Sequence, residues 1–333
     1  MNRFLAACLA VAVVAAAALP AAAQCTGRDL FDDMAPDRKA AIAAAVAEVP
    51  FAKGNFWRAT RGDQVITIAG TYHMEDPRLA PIMAALAPTI ATARTVLVEA
   101  GPKEKQALTD LIARDPSRML ITSGPTLYEQ LPRDVWDQLA TAMSQRGIPG
   151  FMAAKFRPWY VLAVLAVPPC AMAQMTDPKG LDGLVIDEAL AQGRPIRALE
   201  PFETIFRIFD SMSEDEIMAM MKSTLAIEDR AEDHAATLAN RYFAGESRAM
   251  WEFMRFANYD LPGYTRAQVD AEFGKMEEVL MKARNRAWLP VLTQAASEGP
   301  AFAAFGALHL SGEEGVLNLL KAEGFDLQPL ALP

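Results

Sequence analysis

The chain is poor in histidine, in cysteine and in long apolar runs. Three histidines occur among 333 residues, so any chemistry that needs an imidazole is confined to His73, His234 and His309. Three cysteines are too few for a disulfide-stapled scaffold or a cysteine-rich zinc module. Cys170 follows Pro168-Pro169 with no histidine close by in sequence, which speaks against a cysteine nucleophile. Beyond the N-terminus no apolar run approaches the roughly 20 residues of a membrane helix; residues 160–167 come nearest and fall far short. Excess positive charge is lacking too. The 41 acidic and 32 basic residues leave −9, which argues against nucleic acid or an anionic membrane as the main partner.

Residues 1–23 read as a secretory signal. Arg3 supplies its charge, 5–19 its apolar core, and Ala21-Ala22-Ala23 the small residues before a cleavage point at Gln24. A membrane anchor is the weaker reading because the core is short and alanine-rich. A lipid-modified Cys25 is weaker again, since Gln24 stands where a small residue belongs. Cleavage removes Cys8 and leaves Cys25 and Cys170. In an oxidising compartment one disulfide between them is the economical reading, and two buried thiols are the alternative. The expected location is periplasmic or secreted. With 52% hydrophobic residues and no low-complexity linker, residues 24–333 read as a single domain with a sizeable core.

What is present is a repeated pattern. Val65-Ile66-Thr67-Ile68-Ala69-Gly70-Thr71-Tyr72-His73 is a β-branched run ending in Gly-x-x-His, and Ala301-Phe302-Ala303-Ala304-Phe305-Gly306-Ala307-Leu308-His309 repeats it. Two of the three histidines are spent on these copies. After His73, Asp76-Pro77 suits a helix start, a helix runs to about 93 with a break at Pro88, and Thr95-Val96-Leu97-Val98 closes on Glu99. After His309, a helix over 313–323 stops at Gly324, and 325–330 reads as a strand. Each copy is thus a βαβ unit with parallel strands. Ligands collect at the carboxyl ends of such strands, where His73, Glu99 and His309 would converge if the units are neighbours. Gly70 and Gly306 suit a tight turn leaving the strand.

Leading into the first copy, 56–59 and 64–69 read as a hairpin around Arg61-Gly62-Asp63, a turn rather than an adhesion motif. Residues 132–146, 158–167 and 184–192 read as helices and 148–153 as a strand. Pro195-Ile196-Arg197-Ala198-Leu199 reads as a strand ending on Glu200, a second acidic candidate. From about 211 to 285 the character changes to charged, Met-rich helices, with capping boxes at Ser213-Glu214-Asp215-Glu216 and Thr265-Arg266-Ala267-Gln268. This stretch reads as a helical insertion. Met212, Met218, Met220 and Met221 read as core filler at helical spacing rather than copper ligands.

Two imidazoles and a carboxylate form a standard set for a divalent ion such as zinc, manganese or cobalt. The order of affinities favours copper or zinc over manganese and so does not choose. The same trio can do acid–base work without metal. One histidine after a strand is usually structural; two copies in matching contexts shift the balance to function. His234 lies on a polar helix and reads as solvated. Arg284-Asn285, in Arg284-Asn285-Arg286-Ala287-Trp288, either binds a carboxylate or peptide group or is the end of a charged helix that packs Trp288 inward.

Together these segments resemble the TraB/GumN family, related to the pheromone-shutdown protein PrgY and the Wnt-cleaving TIKI proteases. The markers are Gly70-Thr71-Tyr72-His73 with Asp76-Pro77, Val96-Leu97-Val98-Glu99, Arg284-Asn285 with Trp288, and Gly306-Ala307-Leu308-His309-Leu310. Pro158-Trp159, Gly180-Leu181-Asp182 and Leu199-Glu200 add to them. The resemblance implies an α/β (α+β) fold, a mixed and largely parallel sheet flanked by helices, similar to erythromycin-esterase-like (EreA) and ChaN-like proteins. It also implies a metal-dependent peptidase site carried here by His73, His309 and Glu99. The leading expectation is an exported metal-dependent hydrolase of peptide or small-molecule substrates, with Arg284 and Asn285 orienting substrate. The alternative is a periplasmic protein that binds and sequesters a peptide without cutting it.

Overall fold

The computed structural model describes residues 25–176, 178–261 and 263–332; the segment 1–23, expected to be a signal, lies outside them. Six strands form one sheet: β1 (Phe56–Arg61), β2 (Gln64–Thr71), β3 (Thr95–Val98), β4 (Ile196–Ala198), β5 (Ala301–Gly306) and β6 (Asp326–Pro329). Their order across the sheet is β4-β3-β5-β2-β1-β6. The pairs β4–β3, β3–β5 and β5–β2 are parallel, whereas β1 runs antiparallel to both β2 and β6. The sheet is therefore mixed and largely parallel.

The hairpin turns at Gly62, whose φ of 58° needs a residue without a Cβ. Every residue of β3 and β5 is buried, as expected of parallel strands covered on both faces. Phe302 and Phe305 of β5 are among the largest fully buried side chains, and so is Trp288 from the helix Ala283–Glu298. The first βαβ unit is realised with β5 inserted between its two strands. In the second, β6 runs in the same direction as β5 but lies at the far edge, paired only with β1. The two Gly-x-x-His strands, β2 and β5, are immediate neighbours.

Both capping boxes form, Ser213 with Glu216 and Thr265 with Gln268. The strand expected over 148–153 is instead a turn and a short helix, Gly150–Ala153. Pro149 supplies the reason, because it has no N–H for a ladder and suits the entry to a helix. Within 211–285, Trp251, Val269, Phe273 and Met281 pack with one another, and other residues of the stretch reach two further clusters. Ile217, Met221 and Leu225 join Leu127, Trp136, Leu139 and Val161 in a second core, while Ala249 and Phe253 pack on Ile42 and Val46. Met221 is fully buried, and Met212, Met218 and Met220 pack against that second core.

Cys25 is joined to Cys170, with their Cα atoms 5.3 Å apart. No helix among the described residues is long and apolar enough to cross a membrane.

Candidate functional site

Four parallel strands end at one edge of the sheet, and each hands over one candidate residue. Reading across, Glu200 follows β4, Glu99 follows β3, His309 follows β5 and His73 follows β2. The register pairs Thr71 with Gly306, so the two Gly-x-x-His motifs leave the sheet side by side. A Cβ placed on Gly306 would stand 3.3 Å from Glu99 Oε1, 3.3 Å from His73 Nε2 and 3.6 Å from His309 Cδ2. The two imidazoles and the carboxylate therefore surround one small space.

The motif glycines are not there for a left-handed turn, since neither Gly70 nor Gly306 has positive φ. They are there for room. A Cβ on Gly70 would meet Leu310 Cδ1 at 2.5 Å and Ala307 Cα at 3.0 Å, so the first motif lies directly against the turn that carries His309. A Cβ on Gly306 would enter the site itself. We expect Gly306→Ala to fold with little loss of stability, because its backbone is open to alanine, yet to displace Glu99 and His73. Misplacement on that scale costs up to roughly 10²-fold in catalysis. Thermal melting beside a turnover or ligand-affinity assay checks this; unchanged affinity and turnover would contradict it.

Each histidine is fixed through its outer nitrogen. Asp182 Oδ1 accepts from His73 Nδ1 at 3.1 Å, and Asn285 Oδ1 accepts from His309 Nδ1 at 2.6 Å. Asn285 can play only this part, because its Nδ2 already donates to the carbonyls of Glu314 (2.8 Å) and His309 (3.3 Å). It is buried behind His309 and positions the ring rather than reaching substrate. Both Nε2 atoms face inward. A metal-binding imidazole is held in the same way, with its other N–H on a carboxylate or amide oxygen.

Asp182 has no strand-end position to mark it in the sequence as a site residue. It arrives because Gly180 lies against the backbone of His73, where a Cβ would come within 2.3 Å of the His73 carbonyl, and because Leu181 N donates to Tyr72 O at 2.8 Å. The only trace in the sequence is the Gly180-Leu181-Asp182 triplet. Any larger residue at 180 would push Asp182 off His73.

Arg284 ties the site together. Its Nη2 donates to Glu99 Oε2 (2.5 Å) and Glu200 Oε1 (2.7 Å), its Nε to Glu200 Oε2 (2.9 Å), and its Nη1 to His309 Nε2 (3.0 Å). Trp288 Nε1 donates to Glu200 Oε2 at 3.0 Å, and its ring lies 4.3 Å from that of His309. In the 284–288 segment Arg284 thus enters the site while Trp288 packs inward. The Gly306 amide donates to Glu99 Oε1 at 2.6 Å. Thr71 Oγ1, in register with Gly306, is buried without a protein partner. His234 lies apart, beside Phe253.

The charges follow from these contacts. Burial opposes ionisation of Glu99, but His309, Arg284 and His73 beside it, together with the Gly306 amide, hold it down at about 2. Burial pushes His309 down to about 3, and the Arg284 proton on its Nε2 keeps it neutral. The surroundings of His73 also work against charge, but the hydrogen bond and charge of Asp182, with Glu99 behind it, raise it to about 9. Its side chain remains 63% exposed.

For a metal ion the donor set, two imidazoles held through Nδ1 and one carboxylate, fits once His73, cationic at neutral pH, gives up its Nε2 proton. Among the described residues, however, no three His, Cys, Asp or Glu side chains are closed around one ion position. Arg284 stands between Glu99 and His309 and takes a lone pair from each.

A mixed α/β sheet with a histidine–carboxylate site at its carboxyl edge defines the class of protein. The chain belongs to the TraB/PrgY/gumN family, whose model matches residues 55–329. No curated protein matches it.

Proposed function

We propose that this protein is an exported metal-dependent hydrolase with peptides as its substrate class. One observation carries the reading: His73 and His309, held through Nδ1 by Asp182 and Asn285, turn both Nε2 atoms toward the space that Glu99 borders. His73 and His309 would hold the ion, zinc, manganese or cobalt, with Glu99 as third ligand or as base. A bound ion would polarise a carbonyl and lower the pKa of a water. Glu99, ionised at neutral pH, accepts the proton of the attacking water. Asp182 and Asn285 would keep the Nδ1 protons in place, so that an ion displaces the Nε2 proton that His73 carries at neutral pH. Arg284, whose five N–H groups already serve Glu99, Glu200, His309 and the Leu280 carbonyl, would meet a substrate carbonyl or carboxylate only after releasing some of them. Export to the periplasm or beyond is part of the proposal, supported by the Cys25–Cys170 bond.

The test is metal content of protein purified without chelator. Wild type should carry an ion in stoichiometric amount, and His73→Ala and His309→Ala should both lose it. Retention in either variant would end the metal reading. The competing reading, a protein that holds a peptide without cutting it, draws on Arg284, which already occupies His309 and Glu99. Digestion of a peptide library separates the two: cleavage abolished by Glu99→Gln supports the enzyme, and tight binding of intact peptide supports sequestration.

A further inference from the structure

Arg284 is built into the site in a way that bears on any ion entering it. An ion bound to His309 must lie about 2.0–2.1 Å from Nε2 along its lone pair. That direction is taken by Arg284 Nη1 at 3.0 Å, and no ion fits between. Glu99 is engaged as well, with Oε2 on Arg284 and Oε1 on the Gly306 amide. In this rotamer guanidinium and metal exclude one another, and their like charges reinforce the exclusion.

The base of Arg284 is unusual in a matching way. The helix Ala283–Glu298 is entered through a five-residue π-helical turn, Glu278–Lys282, and the Leu280 carbonyl accepts from Arg284 Nη1 at 3.0 Å. Such turns are locally unwound and favour functional sites. Glu200, which grips Arg284 at 2.7 and 2.9 Å, offers a place to retain the guanidinium when it leaves Glu99 and His309.

We propose that Arg284 is the internal competitor of the metal: it neutralises Glu99 and caps His309 in the metal-free protein, and it must withdraw toward Glu200 before an ion can bind. The proposal rests on the metal reading above and adds that Arg284 weakens metal affinity rather than supporting it.

The experiment measures Zn²⁺ and Mn²⁺ affinity by competition with a chromophoric chelator, using the exported chain with its disulfide intact. Wild type is compared with Arg284→Gln and with Arg284→Gln/Glu200→Gln. The double variant removes one of the two carboxylates that Arg284 balances and therefore remains usable if the single variant does not fold. Affinity at least tenfold tighter than wild type, lost again on adding His309→Ala, is the expected result. Binding seen only once Arg284 is removed upholds the competition but overturns the metal reading of the wild-type protein. Unchanged or weaker binding beside a wild type that binds one ion overturns the competitor role and leaves the metal reading standing. No binding by any form overturns both.

Discussion

Arg284→Ala should lower stability by about 3–5 kcal/mol, the usual effect of stripping one partner from a buried ion pair. The size follows from what is left behind. Glu99 and Glu200 have side chains only 23% and 14% exposed, and without the guanidinium both lose their counter-charge. His309 Nε2 and the Leu280 carbonyl lose a donor in the same step. Arg284→Lys should recover only part of the loss, since an ammonium cannot reproduce the fork that spans two carboxylates. Adding Glu200→Gln to Arg284→Ala should recover more by removing one of the stranded charges. Urea denaturation measures all three; a wild-type midpoint for Arg284→Ala would show that the site is solvated and the ion triad decorative.

Breaking the link between Cys25 and Cys170 should cost a comparable amount, about 2–5 kcal/mol, toward the upper end for a long loop. The two cysteines are 145 residues apart in sequence, so the bond removes much freedom from the unfolded chain. In the folded protein it pins the N-terminal segment, where Arg28 N donates to Asp233 and Leu30 N to Thr237. Its other end lies in the segment Pro169–Thr176, whose Gln174 accepts from Glu75 N, just after His73. Cys25→Ala/Cys170→Ala should therefore melt several degrees lower, and reducing agent should lower wild type to the same point. Equal denaturation midpoints with and without reductant would remove the bond from the stability of this fold.

Much of the site can be read from the residues that end strands. Glu99 and Glu200 close short apolar runs, and the two Gly-x-x-His copies announce adjacent strands by repeating one pattern. Strand ends are legible because alternation and β-branching report where a strand stops. Asp182 is not legible in this way. It belongs to a helix, and only the backbone contact between Gly180 and His73 brings it to the ring. The glycines show a subtler gap: their positions can be read, but their purpose, room for neighbouring side chains rather than freedom of φ, depends on what lies across the sheet. The position of β6 is hidden for a similar reason, since direction follows from the crossover helix while neighbourhood follows from which edge is free. The helices of 211–285 share a composition but divide among separate cores, because composition does not reveal a partner.

The place of β5 has a consequence for how the molecule comes into being. It separates β2 from β3 and is hydrogen-bonded to both, yet it lies near the end of the chain. A ribosome finishes almost the entire polypeptide before the centre of the sheet exists, and until then β2 and β3 have nothing between them to join. A sheet completed so late has high contact order and closes slowly. A truncation ahead of Ala301 should therefore yield no folded product at all.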